Sequence, residues 1–148
     1  MAPSPDLSGQ RALVTGATGG LGRAVAWALH ARGATVLLSG RRRELLDELQ
    51  AELGDRVEVL PADLSDRAEV VALADRAGAV DVLVANAGLG GAGPLADFTR
   101  DQAERVLDVN LGSAVILTHA LLPGMLDRGR ARASPAAARA SAGRPSRG

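Results

Sequence analysis

Short apolar runs recur along the first 127 residues, separated by stretches in which apolar residues return every three or four positions. Residues 11–14, 34–39, 56–60 and 80–85 are short and aliphatic, which predicts four buried strands. Helical spacing fills the gaps. Residues 23–32 form the first such stretch, and Arg32-Gly33 reads as its C-terminal cap. Leu45, Leu46, Leu49 and Leu53 mark one face of a second helix ended by Gly54. Asp66 with Glu69 is a capping pair for a third helix that runs to Ala77 and again meets a glycine. After a glycine-rich loop at 86–94, Thr99 and Gln102 open a long helical segment reaching Met125-Leu126, with a break expected near Asn110-Gly112. Strands alternating with helices of this length predict an α/β fold, a doubly wound parallel sheet covered on both faces.

Charge divides the chain differently. All seventeen acids lie at or before Asp127 with eleven arginines, leaving that part at −6, while residues 128–148 hold six arginines and no acid. This last segment uses only Arg, Ala, Gly, Ser and Pro, so it is expected to be disordered and to offer no buried strand. Lacking aromatic stacking groups, it argues against a nucleic-acid arm. An out-of-frame C-terminus fits the composition best. The expected division is a leader at 1–9, an α/β domain at 10–127 and a tail at 128–148. With nothing after Asp127 able to pair with it, the fourth strand is expected to keep an open edge, and Val115, Leu117, Leu121 and Leu122 to stay partly uncovered. No apolar run in the sequence reaches membrane-spanning length, and the default expectation is a cytoplasmic protein. There is no cysteine, so disulfides and thiolate metal sites are excluded, and no metal site is expected. His30 and His119 read as structural residues, neither having a partner at metal-ligand spacing.

The chemistry concentrates at Thr15-Gly16-Ala17-Thr18-Gly19-Gly20-Leu21-Gly22. A glycine-rich turn between a strand and a helix N-terminus suits a diphosphate, because backbone can approach closely and free N–H groups favour negative charge. The spacing T-G-x-x-x-G-x-G, followed in order by Asp63-Leu64, Asn86-Ala87-Gly88 and Val109-Asn110-Leu111, resembles the short-chain dehydrogenase/reductase family over about residues 8–127. Without a ligand, the same glycines would simply pack strand against helix.

The resemblance implies a dinucleotide held by Gly16, Thr18, Gly20, Leu21 and Gly22, with Asp63 accepting from the adenine amino group and Leu64 contributing backbone. It implies that Asn86, Ala87 and Gly88 line the nicotinamide-ribose side. Cofactor choice is read where the second strand ends, in Ser39-Gly40-Arg41-Arg42-Arg43. A carboxylate there would suit a ribose hydroxyl, whereas arginines suit a 2′-phosphate, so NADP(H) is expected in preference to NAD(H), with Arg41 first and Arg42 second. A solvated start to the next helix is the alternative reading of those arginines.

The family's catalytic set is Ser, Tyr and Lys, with an Asn that kinks the helix and holds a water. Only Asn110 matches a member of that set, as a buried amide in need of partners. The chain has no tyrosine and no lysine, and Ser134, Ser141 and Ser146 follow no apolar run. The parent reaction implied is NADP(H)-dependent interconversion of carbonyls and alcohols, which this chain is expected not to catalyse. The alternatives are a nucleotide-binding pseudoenzyme, assembling through residues 111–126, and a non-functional truncated product.

Overall fold

The computed structural model describes residues 6–90, 93–129 and 132–135. Strands β1 (Arg11–Thr15), β2 (Thr35–Ser39), β3 (Val57–Val59) and β4 (Val82–Ala85) alternate with helices α1 (Gly20–His30), α2 (Arg43–Leu53) and α3 (Arg67–Ala77). A 3-10 turn at Leu95–Asp97 precedes α4 (Arg100–Leu107), a π segment (Asp108–Gly112) and α5 (Ser113–Asp127). All strand pairs are parallel, and the order is β3-β2-β1-β4-β5, where β5 is Arg132–Pro135.

The sheet separates its two faces by the twofold alternation of a pleated strand. Ala12, Val14, Val36, Leu38, Val82 and Val84 pack toward α1 and α2, against Ala26, Leu29, Leu46 and Leu49. Leu13, Leu37 and Leu83 point the other way, against Val70 and Leu73 of α3 and Leu117, Leu121 and Met125 of α5. Each fully buried leucine contributes on the order of 2 kcal/mol of transfer free energy, so both layers are needed to hold the sheet.

Helix starts follow their caps. Thr99 and Gln102 form a reciprocal capping box on α4. At α3 the expected pairing is only half made. The Asp66 carboxylate accepts from the N–H groups of Ala68 and Glu69, but Glu69 reaches past the cap to accept from the Asp63 N–H at 2.7 Å.

The fifth strand corrects two expectations. Residues 132–135 are neither unpaired nor irregular: Arg132 to Pro135 lie in register with Val82 to Ala85. Ser134, given no role from sequence, sits opposite Val84. Parallel pairing uses backbone groups, so a strand whose sequence lacks large apolar residues can still close the neighbour's ladder. Its proline stands on the outermost strand, where a missing N–H is tolerated. The rest of the expected tail, 136–148, lies outside the described residues, as does most of the leader.

What carries the chain to that edge is an ion pair. Arg128, at the end of α5, donates from Nε to Asp81 Oδ1 at 3.1 Å and from Nη2 to the Val80 carbonyl at 2.6 Å. Asp81, itself buried, also accepts from the Arg11 backbone N–H through Oδ2 at 3.0 Å. Gly129 follows with φ +66°, a left-handed turn that glycine adopts freely.

The apolar face also differs from expectation. Leu117 and Leu121 are buried and Leu122 is half-buried, while Val115 is exposed together with Leu107, Leu111 and Leu126. Because the π segment joins α4 to α5 without interruption, Arg100–Asp127 is one 28-residue helical stretch, long and apolar enough by composition to cross a membrane. The separate runs read from sequence were too short for that. Its inner stripe of Val109, Leu117, Leu121 and Met125 belongs to the core beside α3 and β4.

Among the described residues, replacing Arg128 by Ala leaves the Asp81 carboxylate with the Arg11 N–H as its remaining hydrogen-bond partner. A hydrogen bond to a charged group contributes about 2 kcal/mol, and Arg128→Ala is expected to lower unfolding free energy by roughly that amount. Amide exchange in Val82–Ala85 should quicken with it. Unchanged exchange would show that β5 pairs without this anchor.

Candidate dinucleotide-binding site

The C-terminal end of β1 is locked to the loop after β4 by one hydroxyl. Thr15 Oγ1, almost fully buried, accepts from the N–H groups of Asn86 and Ala87, both at 3.1 Å. Asn86 returns the contact, its Nδ2 donating to the carbonyls of Thr15 and Gly16 at 3.3 Å each. Two glycines make this approach possible. A Cβ on Gly16 (φ +63°) would lie 2.8 Å from the Ala87 Cα, and one on Gly22 only 2.1 Å from the Gly16 carbonyl oxygen. Gly20 is different. A Cβ there would meet nothing within 4 Å, so its bareness serves no contact inside the protein.

Helix α1 begins at that open position. Its N-cap, Gly19, supplies no side-chain acceptor, and no acid stands in the first turn. The first-turn N–H groups and the helix dipole therefore face outward, ready for an anion.

Beside this helix end opens a cavity of about 290 Å³. Gly16, Thr18 and Gly19 form one side, and Arg41 and Arg42 stand where β2 ends. Ala62, Asp63 and Leu64 follow β3, and Asn86 to Leu89 follow β4. Arg105 and Val109 close it from the helical side. Of the residues expected from sequence, Gly16, Thr18, Arg41, Arg42, Asp63, Leu64, Asn86, Ala87 and Gly88 are thus brought together. Gly20, Leu21 and Gly22 do not line the cavity: Gly20 and Leu21 are exposed at the helix start, and Gly22 is buried behind it.

The three arginines after β2 divide. Arg43 pairs with Asp47 one turn along its own helix at 3.5 Å. Among the described residues, Arg41 and Arg42 make no ion pair and line the cavity. Only the third behaves as an ordinary solvated helix start.

Asp63 is held from behind. Its Oδ1 accepts from the Ser65 N–H at 2.9 Å and the Ser65 hydroxyl at 2.7 Å. Those two bonds first, with smaller help from Arg105 and Arg41, overcome partial burial and keep its carboxyl below the usual carboxylate range. It therefore meets the cavity as an acceptor.

Asn110 corrects an expectation. It is exposed rather than buried, within the π segment, and does not line the cavity. Its partners are backbone: Oδ1 accepts from the Leu89 N–H at 2.7 Å and Nδ2 donates to the Leu89 carbonyl at 3.0 Å. The side chain thereby brackets the loop after β4 like a short strand pair. Among the described residues no group of three or more His, Asp or Glu is placed to hold a metal ion. Arg105 escapes sequence reasoning. It sits one turn before Val109 on the same helix face, and only that spacing hinted at it.

This arrangement of glycine turn, strand ends and helix matches known proteins. The family model described as short chain dehydrogenase covers residues 10–135, from the start of β1 through β5. The chain belongs to this family. It is 47% identical over 131 residues to Nodulation protein G of Rhizobium sp. (strain N33), covering 86% of this chain and 54% of that protein. A metagenomic short-chain oxidoreductase solved in complex with NADP superposes with TM-score 0.81 at 36% identity, covering 87% of this chain and 62% of that one. A 3-oxoacyl (acyl-carrier-protein) reductase from Agrobacterium tumefaciens C58, solved with NADP bound, gives 0.80 at 34%, covering 86% and 52%. The chain spans about half the length of the curated relatives it matches.

The Asp63 shift has a signed consequence. Its folded pKa lies below the ordinary 3.8, so its contribution to stability is complete at neutral pH and lost as pH falls below that value. In Asp63→Asn, the acid-side loss of stability should shrink below pH 4. Superimposable pH–stability curves for the two chains would contradict the assignment.

Proposed function

We propose that this chain binds a nicotinamide dinucleotide in the described cavity and takes NADP(H) in preference to NAD(H). The observation that carries the reading is the pair Arg41 and Arg42, free of ion pairs among the described residues and beside a cavity whose β2 end offers no carboxylate. Relatives solved with NADP support it.

The residues present fit such a ligand. An uncapped helix start and the bare Gly20 suit its diphosphate. Thr18, which lines the cavity, would add a hydroxyl there, and the exposed Leu21 of the first turn would cover the ligand from outside. Gly16 and Gly22 act indirectly, by letting β1, α1 and the Asn86 loop come together. Arg41 and Arg42 would clamp a 2′-phosphate, which a guanidinium binds through paired hydrogen bonds. Asp63 would accept from the base, with Leu64 contributing only backbone because its side chain lies in the core. Asn86, Ala87 and Gly88 would line the sugar on the nicotinamide side.

When bound, the cofactor supplies hydride transfer between carbonyl and alcohol, the parent reaction of the family. This chain's residues bind and orient. Proton transfer by a positioned group is typically worth ~10²–10⁴-fold, and a sequence without Tyr or Lys offers no such phenol–amine pair. Asn110 remains from the catalytic set as a loop bracket. A binding-only protein is thus the reading for the 148-residue chain, and the exposed Leu111, Val115 and Leu126 favour its assembly as a homo-oligomer through 111–126.

Parallel titrations of NADPH and NADH test the reading. NADPH should bind at least about tenfold more tightly, as expected of charge-assisted bonds to phosphate. Arg41→Asp should remove most of that preference. Equal affinities in the parent chain, or a preference indifferent to Arg41, would overturn it.

A further inference from the structure

Asp63 and Arg105 meet inside the cavity in a way the cofactor reading leaves unused. Ser65 occupies Oδ1 with two hydrogen bonds, and among the described residues no hydrogen bond reaches Oδ2. The group nearest to it in charge is Arg105, whose Nη2 stands 3.9 Å away, within ion-pair distance but too far to hydrogen-bond. Both side chains line the cavity.

The pair is held there by the elements around it. Arg105 belongs to α4 and Asp63 to the turn after β3. A second ion pair with the charges exchanged lies beside it, from Arg67 at the start of α3 to Asp108 at the head of the π segment, at 2.9 Å. The stretch from α4 into the π segment is thus fastened to the turn after β3 and to the start of α3 by two ion pairs of opposite polarity, and of the four side chains only Asp63 and Arg105 line the cavity. Arg105 is about half exposed, and an exposed pair of this kind adds little to stability. Its worth should appear only when a ligand drives water from the cavity, because charge interactions strengthen as the surroundings dry.

Resting on the dinucleotide reading above, we infer that Arg105 is a positioning residue for Asp63, compensating the charge of Oδ2 so that an anionic ligand can bring an amino-bearing base to it. A dinucleotide carries several negative charges. A lone carboxylate at the base end would oppose it, while a carboxylate paired at 3.9 Å keeps its acceptor lone pairs and loses most of its repulsion. Arg105 touches the acceptor, not the base.

The test is a double-mutant cycle on the purified 148-residue chain, with NADPH as the titrated ligand. Arg105→Gln should raise the dissociation constant about fivefold in the parent, and less than about twofold in an Asp63→Asn background. Arg105→Lys, which keeps the charge, should stay within about twofold of the parent. Equal losses in the two backgrounds would make Arg105 a plain anchor of α4 or a direct ligand, and would overturn the inference. So would an Arg105→Lys chain as weak as Arg105→Gln, a result that does not depend on how Asp63→Asn folds. Failure of the parent chain to bind NADPH would remove the dinucleotide reading and this inference with it. Intact NADPH binding with additive losses removes the inference alone.

Discussion

The fold turns on one crowded point, where the Gly16 carbonyl, the Gly22 backbone and the Asn86 amide share a space with no room for a methyl group. From it, Thr15 reaches into the loop after β4 and Asn86 reaches back to β1. The helix that starts there has no side-chain cap and no acid in its first turn. Were the glycine turn held further off, α1 would lose its seat on Val14 and the cavity its first wall. Packing at Gly22 and openness at Gly20 are therefore two properties of one short motif, two positions apart.

A second constraint acts on the other side of the cavity. Helix α4 is fastened to the turn after β3 by Arg105–Asp63 and the π segment to the start of α3 by Arg67–Asp108, while Asn110 brackets Leu89 from the π segment. The π segment shifts the register so that Asn110 faces the loop while Val109 stays in the core. The single wide turn lets one helical stretch serve both, and such bulges are common where a helix supports a site.

The four strands and their helices were legible because each run combined a clear period with a capping or terminating residue, as at Thr99 and Gln102. The cavity residues from β1, β2 and β4 were legible for a related reason: in an open parallel sheet, ligands gather at the strand ends, and those ends are marked by glycines and charges. Three features were not legible. β5 is built of Arg, Ala, Ser and Pro, so its pairing rests on backbone groups and on the Arg128–Asp81 contact, which leaves no periodic signal. The exposure of Asn110 followed from a π turn that composition does not report. Arg105 needed the fold, since its partner lies 42 positions earlier in the chain.

The central claim is that the motif divides its work, with Gly22 packing the protein and Gly20 left bare for a ligand. Thermal unfolding and NADPH titration of Gly22→Ala and Gly20→Ala measure this directly. A methyl at Gly22 would fall 2.1 Å from a backbone oxygen, so Gly22→Ala should unfold at markedly lower temperature, while Gly20→Ala should keep the parent's stability and bind NADPH about tenfold more weakly. Equal stability of Gly22→Ala and the parent, or unchanged NADPH affinity in Gly20→Ala, would contradict the account.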